Sequence, residues 1–295
     1  MRRLLAYQAI WGMEALDGVD LVNRLGAAMD SIAAAGFDGV GVSLLQADRA
    51  EAVAAAVHAR GWSFEAIGFV RSRADLARWI DQAEALGAHH LNLQLMQRPD
   101  RVSEAVALLT DLEEEAARAR IPVYYETHRG RLTNDLPFLC RILEAMPGLR
   151  LTGDLSHYAL AHEMFLPVPP VELERMSKVI SHAWAFHGRV SSAHQVQVSI
   201  KSPQHQAWVE QFKAWWREGF ASWLARSAPN AELTFMSELG PPGYAITGPD
   251  GRELCDRWTE AVMLKDIARE LWDEVTAAER AAKLRLPSEP RHPVV

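Results

Sequence analysis

The sequence predicts an α/β protein folded as a (β/α)8 barrel, and three observations predict it. Short β-rich runs alternate with longer amphipathic segments, and eight such pairs can be drawn along the chain. The runs are close to continuously apolar, as strands must be when the barrel interior covers one face and helices cover the other. Gly36, Gly61 and Gly87 each follow a helical pattern, where a residue free to adopt positive φ ends the helix before the next strand. The competing fold is a doubly wound open sheet, but no GxGxxG or GxxxxGK(S/T) phosphate loop follows the first strand.

Taken in order, the first strand is LLAYQAI from Leu4, followed by the helical pattern VDLVNRLGAAMDSIAAAG. FDGVGVSL from Phe37 leads to RAEAVAAAVHARG, WSFEAIGF from Trp62 to RADLARWIDQAEALG, and HLNLQLM from His90 to RVSEAVALLTDLEEEAARA. IPVYYET from Ile121 precedes LPFLCRILEAM, and LRLTGD from Leu149 precedes VELERMSKVI. AWAFHG from Ala183 and ELTFMSE from Glu232 are each followed by a longer helix, HQAWVEQFKAWWREGFASWLA and RELCDRWTEAVMLKDIARELWDEVTAAERAAK. One barrel over residues 1–280 accounts for all of this, and the proline-rich remainder, 281–295, reads as an extended tail.

Composition narrows the function. The 295 residues are 49% hydrophobic and 23% charged, the balance of a soluble globular protein. A net charge of −7 repels phosphate backbones, so nucleic acid is a disfavoured partner. No run of 18 uncharged apolar residues occurs, which argues against a membrane span, and no signal-peptide pattern opens the chain. Cys140 and Cys255 stand outside any metal-binding spacing, in keeping with a reduced, cytoplasmic setting.

The last four strands end with Glu126, Asp154, His187 and Glu238. Any one of these has an ordinary explanation, since strand-end carboxylates often cap the next helix and a lone histidine is often hydrogen-bonded in a core. Neighbouring strands of a barrel lie about 5 Å apart, so together the four converge on one mouth. Three carboxylates there would repel one another unless a cation sat among them. Three oxygen donors and one imidazole suit Mn²⁺, Mg²⁺ or Co²⁺ and also admit Zn²⁺. His182 is the alternative to His187, which is preferred because it ends its strand.

The segments ETHRG, GDLSH, FHGRV followed by QVQV, and SELGPPGY resemble those of the xylose-isomerase-like barrels, in particular bacterial proteins grouped as sugar phosphate isomerases or epimerases. The resemblance spans roughly residues 120 to 275, and the first four units match only in general pattern. It implies that Glu126, Asp154, His187 and Glu238 hold one divalent ion, Mn²⁺ ahead of Mg²⁺, Co²⁺ or Zn²⁺, and that the substrate is carbohydrate-like. It implies also that His157, three residues beyond Asp154, touches substrate or supports a group that does. The paired His/Asp and Lys of true xylose isomerases have no match here, and His89, His90 and His128 do not reproduce the larger ligand set of endonuclease IV.

The implied chemistry is removal of a proton next to a metal-bound carbonyl, through an enediolate, with Glu126 and Glu238 taking and returning the proton. Isomerisation or epimerisation of a sugar, keto-sugar or sugar phosphate follows. Loss of a β-substituent from the same enolate would instead make a lyase or dehydratase acting on a keto-glycoside or cyclic hydroxy-acid. A barrel that keeps a metal only to hold its mouth together is the non-catalytic alternative. Arg189, Arg129 and His128 follow the proposed ligands and are candidate substrate contacts, as is Gln94 at the end of the fourth strand, ahead of Asn92. Trp11, Trp62 and Trp184 are candidate platforms for a sugar ring or, equally, core residues. Glu65 is left out, since it ends its strand only if that strand is short. The segment SSAHQVQVSIKSPQHQ is a candidate lid. The helix after it carries Trp208, Phe212, Trp215, Trp216, Phe220 and Trp223 on one face, which prompts the expectation of a homodimer.

Overall fold

The computed structural model describes residues 2–285. Eight parallel strands close into a barrel in chain order: β1 (Arg3–Ala9), β2 (Gly39–Ser43), β3 (Ser63–Val70), β4 (His90–Leu95), β5 (Val123–Glu126), β6 (Leu151–Asp154), β7 (Ala183–Gly188) and β8 (Glu232–Ser237). Around them run α1 (Leu25–Ala34), α2 (Ala47–His58), α3 (Arg73–Ala85), α4 (Val102–Ala116), α5 (Leu136–Ala145), the short α6 (Ser156–Ala161), α7 (Pro170–Ile180), α8 (Gln206–Arg226) and α9 (Arg257–Arg285). The predicted (β/α)8 barrel is therefore the observed one. Gly36, Gly61 and Gly87 have φ of 77°, 66° and 69°, the conformation a helix needs to turn back toward the sheet.

Helix α1 begins at Leu25 rather than at Val19. Helix α9 continues through residues 281–285, which the sequence reading assigned to an extended tail. The run AAERAAKLR is made of strong helix formers, and these outweigh the prolines beyond it. The rest of the expected tail lies outside the described residues.

The larger core lies between strands and helices, where the outward residues of the barrel meet the apolar stripes of the helices. A smaller one lies inside the barrel, where Tyr7, Ala9 and Met236 pack with Leu5 and Ile67. Gly39 and Gly41 make room for it. A Cβ on Gly39 would stand 2.7 Å from the Tyr7 ring, and one on Gly41 would stand 2.1 Å from the Met236 sulfur. The other inward positions are largely polar, and this layer builds the site described below.

The rings of α8 are spent within the chain. Trp208, Phe212, Trp215, Trp216, Phe220 and Trp223 are all buried, against partners that include Phe186, Phe235 and Trp272. They leave no aromatic face on this helix to support the expected homodimer. The candidate lid is likewise tied down. Gln197 exchanges hydrogen bonds with the backbone of Gly240 at 3.1 and 2.7 Å, and Glu260 accepts from Ser199 and from the Ile200 amide. Among the described residues, no helix is long and apolar enough to cross a membrane.

Candidate metal centre

Glu126, Asp154 and His187 sit in the last two residues of β5, β6 and β7, and Glu238 directly follows β8. Asp154 and His187 are register partners. An irregularity between Leu151 and Thr152 shifts β7 by one residue, so that Thr152 faces Ala185 and Asp154 faces His187. The result is that these four buried residues each offer a donor atom, all within 4.8 Å of one another. His182, the rival ligand, lies at the opposite end of β7 with its Nδ1 3.1 Å from the Leu149 carbonyl.

The charges are unevenly compensated. Arg189 donates from Nη2 to Asp154 Oδ2 at 3.1 Å and to Glu238 Oε2 at 2.6 Å. His187 Nδ1 stands 3.1 Å from Glu238 Oε2. Glu126 receives only amide donors, Asn92 at 2.7 Å and Gln94 at 3.2 Å, and no described residue forms an ion pair with it. Burial pushes the Glu126 carboxyl up to about 8, with His187 opposing the rise and Glu238 and Asp154 adding to it. Burial alone would raise Glu238 too, but His187 and Arg189 outweigh it and hold that carboxyl at about 2. A divalent cation fits this donor set: it would supply the charge that Glu126 lacks and ionise it, as ligation requires.

Glu65 is not among the predicted ligands, yet it supports one of them. It lies inside β3, wholly buried, and its carboxylate is hydrogen-bonded by His187 Nε2 at 2.8 Å and His90 Nε2 at 2.9 Å. With Nε2 committed to Glu65, Nδ1 is the nitrogen His187 turns toward the quartet, an arrangement that fixes a ligating imidazole in orientation. Burial opposes ionisation of Glu65, yet His187 and His90 prevail and hold it at about 2. A polar chain continues outward from the buried His90 to the half-buried His89 at 2.9 Å and from His89 to Glu232 at 3.3 Å. One signal in the sequence could have found Glu65: Glu65, Ile67 and Phe69 share one parity, so a strand reaching Val70 points all three into the barrel.

The candidate substrate contacts divide. Gln94, His128, Arg189 and Glu238 line a cavity of about 370 Å³ at the barrel mouth, together with Trp11 and Tyr244. Arg129 is not part of its wall. It stands over Tyr244 at 4.8 Å and donates to His157 Nδ1 at 3.0 Å. That bond places the His157 proton on Nε2, 3.3 Å from Asp154 Oδ2. Arg131 lines the cavity instead, held by Gln94 at 3.0 Å. The two arginines are two residues apart in an irregular loop, where no strand parity tells them apart. His128 and His157 pack with ring centres 3.9 Å apart and their planes tilted by 49°, and burial lowers both, His128 to about 4. Of the three tryptophans considered as platforms, only Trp11 reaches the cavity; Trp184 stacks with Arg150 and Arg226, and Trp62 packs on the main core.

These shifts predict how stability depends on pH after chelator treatment. Glu126 is raised in the fold, so its contribution is fully present below about 4.5 and is lost as pH rises through 8. His187 is raised as well, against burial and through Glu65 and Glu238, and it acts in the same direction above pH 6.5. Glu65 and Glu238 are lowered, so their contributions disappear as pH falls from 4.5 toward 2. The imidazoles of His89, His128 and His157 are lowered by burial, so their contributions are present above pH 6.5 and are lost as pH falls toward 4. The midpoint of thermal unfolding should therefore peak near pH 6.5 and decline by several degrees toward pH 8, with Mn²⁺ restoring most at the alkaline end. Differential scanning fluorimetry checks this; a midpoint that climbs from pH 6.5 to 8 without metal would contradict it.

No family model matches the sequence, and no curated protein matches it. Among solved structures the chain is similar to a sugar phosphate isomerase/epimerase from Parabacteroides distasonis. The TM-score is 0.55 at 10% identity, over 92% of this chain and 95% of that one. It is also similar to a dihydrodipicolinate synthase, with a TM-score of 0.48 at 10% identity, over 97% of this chain and 85% of that one. At such identity the first likeness is one of fold: a parallel eight-stranded barrel wrapped in helices.

Proposed function

We propose that a chain folded as this barrel, with four potential metal ligands gathered at the C-terminal ends of its strands, is a divalent-metal-dependent isomerase or epimerase of a sugar or keto-sugar. The observation that carries the reading is the convergence of Glu126, Asp154, His187 and Glu238 within 4.8 Å, beside a cavity large enough for a small molecule. Mn²⁺ is the first choice among the ions this donor set accepts. When bound, such an ion supplies Lewis acidity toward a carbonyl and a neighbouring hydroxyl, lowering the cost of removing the proton between them.

The protein's residues supply the rest. Glu126 and Glu238 come from β5 and β8, three strands apart, and carry the two carboxylates able to hold a proton on either side of a substrate carbon. Asn92 and Gln94 fix the Glu126 carboxylate by donating to it, and His187 and Arg189 do the same for Glu238. Burial of all four groups excludes bulk water and strengthens these interactions. The test is proton NMR of keto-sugars in D₂O with the Mn²⁺-treated protein. Solvent deuterium should appear at one carbon while the sugar is retained or isomerised, and EDTA should abolish the exchange. An olefinic product would convert the assignment to a lyase, and exchange that is unaffected by EDTA would end the metal reading.

A further inference from the structure

The cavity at the mouth has two unlike ends. Toward β4 to β8 it meets Gln94, His128, Arg189 and Glu238, while toward β1 to β3 it meets Ile10, Val42, Leu45, Ile67 and Phe69. Arg189 is 2% exposed, and its Nε and Nη1 have no hydrogen-bond partner although both are buried. Two unpaired donors therefore stand at the polar end. The other end holds no buried unpaired donor among the described residues: its polar side chains, Glu14, Ser43, Gln46 and Arg49, lie at the half-buried to exposed rim. Arg49 is paired with Glu14, and Arg131 is held by Gln94 and by the Gly130 carbonyl. A phosphate or a row of hydroxyls placed against Ile67 and Phe69 would lose its water without gaining partners.

We infer that the ligand is amphipathic: a polyhydroxylated head at Arg189 and Glu238, joined to an apolar, ring-sized group lying against Ile67 and Phe69. An O-aryl keto-glycoside is the simplest molecule of this class that also carries the carbonyl the proposed reaction needs, and the plain O-aryl glycoside is its unreactive binding analogue, whereas a sugar phosphate is not a member of the class. The position of the head rests on the proposed function; the apolar half rests only on the wall of β1 to β3. Trp11 and Tyr244, which meet edge to face at 5.0 Å between ring centres, form the wall beside Arg189. The cavity volume of about 370 Å³ falls at the lower end of sites that enclose drug-sized molecules.

Isothermal titration of the full chain with phenyl β-glucoside, methyl β-glucoside and glucose 6-phosphate tests the inference, with Mn²⁺ and again with EDTA. The phenyl glycoside should bind about tenfold or more tighter than the methyl one, and the phosphate no tighter than the methyl. Ile67→Thr and Phe69→Ala should each bring the phenyl-to-methyl ratio toward one, the first by shortening the side chain and replacing apolar surface with a hydroxyl. Equal binding of the two glycosides, preference for the phosphate, or no binding of any of the three at millimolar concentration overturns the inference. A phenyl preference that persists in EDTA, with no deuterium exchange in any sugar, would uphold the apolar subsite while the proposed reaction fails. Deuterium exchange with a ratio near one would do the reverse.

Discussion

Glu238→Gln is expected to lower turnover by about 10²–10⁴-fold, the range for losing a positioned general acid or base. The substitution keeps the size of the side chain but removes its charge and its ability to take a proton. It also removes an anionic ligand from the quartet and leaves Arg189 with Asp154 as its remaining carboxylate partner. Glu126→Gln should cost as much by a partly different route, since the new amide would present hydrogens to Asn92 and Gln94, which now donate to a carboxylate. Deuterium incorporation from D₂O, measured beside bound metal per chain, separates loss of the base from loss of the ion. A Glu238→Gln protein that exchanges protons at the native rate would remove that residue from the chemistry.

The second large effect is expected at Glu65, which touches His187 without belonging to the quartet. Glu65→Ala leaves the Nε2 groups of His187 and His90 buried and without their carboxylate. Removing one member of a buried ion pair costs about 3–5 kcal/mol, and losing the partner that orients a ligating histidine costs about 10–100-fold in metal affinity. Glu65→Gln keeps one oxygen to accept from His187 and should recover much of the affinity. Competition with a chromophoric chelator gives the metal dissociation constant, and urea unfolding gives the stability. A Glu65→Ala protein that is destabilised yet binds Mn²⁺ as tightly as the native chain would make Glu65 a core residue only.

The two predictions differ in how legible their residues were. Glu126, Asp154, His187 and Glu238 were readable because each sits where an apolar run stops, and in a parallel barrel all such stops lie at one rim. Glu65 was not, because its run continues to Val70; only the full length of β3 places it deep in the interior layer below His187. Arg131 was passed over for Arg129 because a loop has no period by which to choose between neighbours. The aromatic stripe of α8 was legible as a stripe, but the chain alone did not reveal that Phe186, Phe235 and Trp272 would cover it.

What the chain determined by itself was local: strand and helix alternation, glycine helix ends, and the polar groups at four strand ends. Side-chain period and backbone preference act over a few residues and leave their mark in any short window. What only the tertiary structure decided was which of these groups meet: the shift of β7 that brings His187 beside Asp154, the Glu65 bond 122 residues away along the chain, and the apolar wall across from Arg189. Register between distant strands sets those meetings, and it is a property of the closed barrel rather than of any one segment.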